Sequence, residues 1–415
     1  MKRFLLIISI IGISTLTFSC KKENSDNTSG EFKQVNLTEK QKQLINTSNA
    51  FGFDFFKKAI EVSGSETNMM VSPLSVSMAL GMTRNGAANG TLEAMTNTLG
   101  FAGMSDSEIN ESYKYILETF SGLDPKVKLQ IANSIWYHKN FTVEQTFVLT
   151  NQQYFDASVT KLDFSSPTAV GIINAWVNEK TNTLIPEIID QIPGDAVMYL
   201  VNAVYFKGQW RYQFEKEKTE EKPFHLYNGT ELQVASMIQH EKHPFFQGPG
   251  FAAVELPYNQ GNYVMSILLP DAGKTVEDVI TQLSQANWNT WSAQFVETDI
   301  QLQLPKFKYE YNEKQMKPIL SGMGMGVAFD PDNADFTRIN SDGGLYISRV
   351  MHKTFIKTDE EGSEAAAVTA VEVGVTSVGP DQPIYFTVNR PFVYFIQEKS
   401  TGTILFIGTV MNPNL

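Results

Sequence analysis

The chain has 415 residues and a mass of 46.5 kDa, with 33 Lys and Arg against 45 Asp and Glu for a net charge of −12. At 42% apolar and 19% charged it carries enough apolar material for a large buried core and is too apolar for a disordered chain. The acidic balance argues against nucleic acid or an anionic membrane surface as an electrostatic partner. A single cysteine, Cys20, excludes an intramolecular disulfide framework, a thiolate zinc cluster and a cysteine-nucleophile protease.

Lys2 and Arg3 form a short basic head, and residues 4–13 form an apolar run too brief to span a bilayer. The run leads to Leu16-Thr17-Phe18-Ser19-Cys20, which resembles a bacterial lipoprotein signal with Cys20 as the lipidated residue. Phe18 is bulkier than usual in that box; the plainer alternative is an ordinary signal peptide with an incidental cysteine. Lys21 to Gly30 is polar and aperiodic, as expected of a solvated tether. Residues 1–19 are therefore read as a signal peptide, 20–38 as the lipidated Cys20 with its tether, and 39–415 as one domain without linkers or repeats. The expected location is an outer membrane or cell surface, held through the N-terminal lipid only; periplasmic or secreted is the alternative.

Lys40 to Val62 places apolar residues at helical spacing, and Ser72-Pro73 opens a second helix with Ser72 as N-cap. A short amphipathic helix is expected over Asn174 to Thr183. The second half changes period. Leu256 to Leu269, Asp299 to Tyr309, Ile384 to Val388, Val393 to Gln397 and Leu405 to Val410 alternate or run apolar, as strands do. Helices first and sheet later predicts an α+β fold.

No motif of acyl transfer, zinc proteolysis or phosphate binding (GxSxG, HExxH, GxxxxGKS/T) occurs. His240-Glu241-Lys242-His243 lacks a third ligand and reads as a charged loop. Gly322, Gly324 and Gly326 stand between a helical segment and a strand, the reverse of the dinucleotide order. Asp330, Asp332, Asn333 and Asp335 lack the glycine and closing glutamate of a calcium loop. Nothing assembles an enzyme active site or calls for a metal or cofactor.

The segment that carries chemistry lies between Thr358 and Pro391, where a long stretch of small and β-branched residues is flanked by strand-like sequence. Ser363, Ala365, Ala367, Thr369, Val371, Val373 and Val375 share one face of an extended chain, while Glu364, Ala366, Val368, Ala370 and Glu372 share the other. One face is free of charge. Gly362 and the alanines nevertheless have weak strand preference, so this segment can pair as a strand without being compelled to.

Glu360-Glu361-Gly362-Ser363-Glu364-Ala365-Ala366-Ala367 resembles the reactive-loop hinge of the inhibitory serpins. The segment from Phe386 to Phe392 and Gly408 to Pro413 is similar to the family's C-terminal signature, and Asn202 to Trp210 to its central strand. Asn68, Ser72 to Ser75, Gly86, Leu99 to Phe101, Leu256 to Tyr258, Leu304 to Phe307 and Asp335-Phe336 match in family order. The resemblance implies a serpin fold: N-terminal helices on a large mixed sheet, further sheets, and an exposed reactive-centre loop over about 358–390. It implies a suicide substrate that traps a protease as an acyl-enzyme when the cleaved loop inserts into the sheet; a non-inhibitory binding protein is the alternative. The hinge would be Glu360, Gly362, Ser363, Glu364, Ala365, Ala366 and Ala367. The buried gate under the sheet would be Ser72, Ser75, Asn133, Asn202 and His352, with Trp210 where the loop enters. Family spacing puts the reactive bond at Thr376-Ser377, with Val375-Thr376 the neighbour kept open because the stretch to Pro391 is a few residues longer than is typical of the family. Small aliphatic bait residues imply elastase-like serine proteases as partners, then cysteine proteases. No accelerating polyanion is expected, and the molecule is expected to be a monomer.

Overall fold

The computed structural model describes residues 31–64, 66–194, 196–363 and 382–415. Cys20 and the loop positions from Glu364 to Ser377, including Ala365, Ala366, Ala367, Val375 and Thr376, lie outside the described residues. The first helix, α1 (Glu39–Ser63), starts at a capping box in which Thr38 and Gln41 satisfy each other's backbone N–H groups. It buries Leu44, Ile45, Phe51, Phe53, Phe55 and Phe56. A short strand, β1 (Met69–Val71), precedes α2 (Pro73–Arg84), which is buried along its whole length. Next come α3 (Asn89–Thr98), α4 (Asp106–Phe120), β2 (Val127–His138), α5 (Gln145–Phe155), β3 (Ser158–Leu162), α6 (Ala169–Lys180) and β4 (Met198–Gln209). The second half holds β5 (Glu220–His225), β6 (Glu231–Gly248), β7 (Phe251–Pro257), β8 (Tyr263–Pro270), α7 (Val276–Ile280), α8 (Gln285–Ser292), β9 (Val296–Pro305), β10 (Phe307–Glu313) and α9 (Met316–Leu320). It closes with β11 (Arg349–Asp359), β12 (Gly362–Ser363), β13 (Ile384–Thr387), β14 (Phe392–Glu398) and β15 (Thr403–Val410).

Among the described residues the strands form two sheets. A nine-stranded sheet runs β1-β15-β14-β8-β7-β6-β9-β13, with β5 on β6. A six-stranded sheet runs β10-β11-β12-β4-β2-β3, and it is mixed, because β4 pairs parallel to β11 and β2 parallel to β3. Even-numbered side chains of β4, among them Leu200, Val204 and Phe206, face the main core; Tyr199, Val201 and Ala203 face α6.

Several sequence expectations need correcting. Helices and sheet are interleaved: β2, β3 and β4 lie among the helices, because long-range pairing decides a strand that local pattern leaves ambiguous. Leu256 to Leu269 is not one strand: Leu256 and Pro257 end β7, a turn with Gly261 at φ +86° follows, and Tyr263 to Leu269 belong to β8. Asp299 to Tyr309 divides at Lys306 into β9 and β10, which lie in different sheets. The expected helix over Asn174 to Thr183 starts at Ala169 and ends at Lys180. Ser72 caps no helical N–H with its side chain. The domain also begins before position 39, since Val35 is buried and Lys33 bonds to Asn262.

The core is jointed tightly where Gly408 of β15 meets Tyr394, whose hydroxyl bonds that of Tyr309 at 2.7 Å. A Cβ on Gly408 would stand 2.5 Å from the Tyr394 ring. Gly408→Ala is expected to lower stability by about 1–3 kcal/mol through overpacking, read as an earlier urea midpoint; an unchanged midpoint would contradict this packing.

Candidate functional site

Three strands of the six-stranded sheet carry a line of buried polar side chains. His352 of β11 stands opposite Asn202 of β4, and Asn202 opposite Asn133 of β2. The Ser72 N–H donates to His352 Nε2 at 3.0 Å, Ser75 Oγ donates to Asn202 Oδ1, and Asn202 Nδ2 donates to Asn133 Oδ1 at 2.8 Å. The predicted gate residues Ser72, Ser75, Asn133, Asn202 and His352 are therefore one continuous cluster joining the N-terminus of α2 to the sheet. Burial lowers the His352 pKa to about 4, so the ring is neutral. Because Nε2 accepts, Nδ1 holds the ring proton, and this buried donor has no partner among the described residues.

Beyond the cluster the two central strands part. β4 and β11 pair directly over Tyr199–Ala203 and Arg349–Lys353. At the far end of both strands the two-residue β12 lies between them, Ser363 opposite Thr358 and Gly208, and Gly362 opposite Asp359 and Gln209. Ser363 Oγ shares a 2.6 Å hydrogen bond with the Tyr258 hydroxyl on the core face. Below β12 is a cavity of about 10 Å³, lined by Phe206, Phe355, Ile356 and Ser363, with room for about one water molecule. A Cβ on Gly362 would stand 2.0 Å from the Gly208 carbonyl oxygen and 2.8 Å from Gln209 Cα. Only glycine lets the chain enter here.

Trp210 roofs this entry. Its ring stacks on Tyr258 at 4.5 Å between centroids, and its indole N–H donates to the Asp359 carbonyl at 2.9 Å. The N–H groups of Trp210 and Phe214 donate to the carbonyls of Glu361 and Glu360, both at 2.9 Å. Lys306 Nζ clasps both Glu360 carboxylate oxygens at 2.9 and 2.8 Å, and Thr219 Oγ1 donates at 2.8 Å. Burial pushes the Glu360 carboxyl up, but these donors outweigh it and hold its pKa below the ordinary carboxylate value. Glu361 pairs with Lys216 at 2.5 Å.

Sequence reasoning missed Tyr258, Lys306 and Lys216 as partners of Ser363, Glu360 and Glu361, although Tyr258 and Lys306 lay inside quoted motifs. Their signal was a register between distant strands. The weak metal candidates do not assemble. His240 bonds Asp299 on one side of β6, while His243 is buried on the other beside Tyr212. Asp330 serves its own turn, accepting from Asp332 and Asn333.

A family model described as "Serpin (serine protease inhibitor)" matches residues 46–413. The chain belongs to the serpin family. Among relatives, the leukocyte elastase inhibitor of Xenopus laevis is 34% identical, covering 88% of this chain and 97% of its own. Among solved structures, the thermophilic serpin tengpin in its native state matches with a TM-score of 0.82 at 35% identity, over 92% of this chain and 97% of its own. Human thyroxine-binding globulin complexed with its ligand matches with a TM-score of 0.83 at 28% identity, over 90% of this chain and 99% of its own. The α+β serpin fold expected from sequence is the fold of this chain. The family includes protease inhibitors and a hormone-binding globulin alike.

Two measurements probe the site. Protonation of His352 in the native state is suppressed to about 4, against 6.5 when exposed, and burial does the same to His243. The unfolded chain thus takes up protons that the native serpin refuses, so stability is expected to fall as pH drops from about 6.5 toward about 4. His352→Gln should shallow that slope; an unaltered slope would mean His352 is not held neutral. Gly362→Ala should unseat β12 and speed amide exchange at Trp210 and Phe214, whereas unchanged exchange there would refute the steric argument.

Proposed function

We propose that this serpin is an inhibitor acting as a suicide substrate rather than a catalyst. The supporting observation is β12: the hinge already occupies the first two places of a strand between β4 and β11, with the small Ser363 on the core face. A strand continuing in that register would bring Ala365, Ala367 and Thr369 to the same face, with Ala365 small enough to fit between Phe206 and Ile356. On this reading a protease attacks Thr376-Ser377, or Val375-Thr376, and forms an acyl bond. The freed hinge end then zips into the sheet before water can release the enzyme. Roughly a dozen added ladder bonds at about 1 kcal/mol net each would drive the movement. The native state is on this account a kinetic trap.

The bait sequence Val373-Gly374-Val375-Thr376 favours a shallow pocket for small aliphatic side chains, so elastase-like serine proteases are the proposed targets and cysteine proteases the second choice. We place the protein as a monomer outside the cytoplasm, lipidated at Cys20 on an outer membrane or cell surface. The likeness to thyroxine-binding globulin supports a second reading, a carrier that keeps the fold without the trap.

Mixing the protein with pancreatic elastase and running a denaturing gel separates the two. A covalent band near the summed mass is expected, with a released fragment whose N-terminus mass spectrometry reads as Ser377; clean cleavage without the band would overturn the inhibitory reading. Ala365→Arg is expected to abolish the band and leave cleavage intact, because a charge cannot enter the core face.

A further inference from the structure

The N-terminal chain joins the domain beside the place where the hinge joins the sheet. The Lys33 N–H donates to Asn262 Oδ1 at 3.1 Å, and its carbonyl accepts from Asn262 Nδ2 at 2.6 Å. Lys33 Nζ donates to the Leu123 carbonyl at 2.8 Å, and the Val35 N–H donates to Ser400 Oγ at 3.1 Å. Val35 is buried, and the Tyr115 hydroxyl donates to the Asn36 carbonyl at 2.9 Å. A free tether would make none of these bonds. They also fix a position: Leu123 shortly precedes Val127, which stands opposite Gly208, itself opposite Ser363. Asn262 lies in the turn whose Tyr258 holds Trp210 and Ser363. The opposite end of the sheet, where β4 begins at Met198, is about 36 Å away at roughly 3.3 Å per residue.

We infer that residues 33–36 are a clasp fixing the tethered end of the chain to the pole at which the hinge enters, so that a molecule held to a surface through Cys20 turns its bait toward that surface and serves proteases small enough for the gap or attached alongside it. This rests on the lipoprotein and reactive-loop readings above. From Cys20 to Lys33 the chain spans at most about 45 Å at 3.3–3.6 Å per residue. A globular protease of about 230 residues is itself roughly 45 Å across. At full stretch the gap just admits a single small domain, and at every length it refuses a bulky assembly.

The test needs no lipidation, because Cys20 is the single cysteine of the sequence. The mature chain from Cys20 is coupled through its thiol to maleimide-bearing vesicles. A Cys20→Ser, Gly194→Cys variant is coupled at the exposed loop before β4, at the opposite pole. Both meet elastase, free or borne on beads, with subtilisin as a second protease. Loop attack is scored as covalent complex plus cleaved chain, so a serpin that is cleaved without trapping still reports the geometry. Coupling through Cys20 is expected to slow bead-borne protease by roughly tenfold and free protease by less than about threefold, through restricted encounter geometry. Coupling through residue 194 should slow neither, and Val35→Asp in the Cys20-coupled chain should restore bead access by releasing the clasp. Equal attack by bead-borne protease on both couplings would overturn the inference, and so would a Val35→Asp chain that stays protected. A missing covalent band with the size dependence intact would count against the inhibitory reading alone.

Discussion

The structure turns on one unfinished ladder. β4 and β11 share backbone hydrogen bonds beside Asn202 and His352, then part far enough for Gly362 and Ser363 to sit between their far ends. Between these two regions the facing edges of β4 and β11 have no strand partner among the described residues, and each group there would gain about 1 kcal/mol net from pairing. Gly362 has no side chain because the Gly208 carbonyl stands where one would go, and Trp210 lies as a roof over the entry. A small cavity lies below Ser363.

Two kinds of chemistry bound that opening. Its closed end is a buried, neutral hydrogen-bond cluster, in which Asn133 Nδ2 and His352 Nδ1 lack partners among the described residues. An unpaired buried donor costs about 1–3 kcal/mol, which makes this seam a weak joint in an otherwise close-packed sheet. Its open end is charged: Glu360 is gripped by Lys306 and Thr219, and Glu361 by Lys216. The polar cluster can part without exposing a charge, whereas the rim must break ion pairs to move.

Much of this was legible in the chain. The helical period of residues 40–62, the Ser72-Pro73 start of α2 and the apolar runs of β14 and β15 follow from local side-chain spacing, and the structure has them there. The parity reading likewise put Ser363 on a face that the structure buries. The strands of the first half were less legible, because β2 and β4 owe their conformation to each other across a long separation in sequence. The division at Lys306 was invisible for the same reason, since β9 and β10 read as one alternating run yet pair in different sheets.

The sequence by itself determined the family, because the motifs that carry it depend on which side chains follow one another. Tertiary structure alone decided that Tyr258 receives Ser363, that Lys306 holds Glu360, and that Lys33 docks at the same pole as the hinge. Those pairings are registers between remote segments, and a register is a property of how strands lie together, which no local pattern of residues encodes.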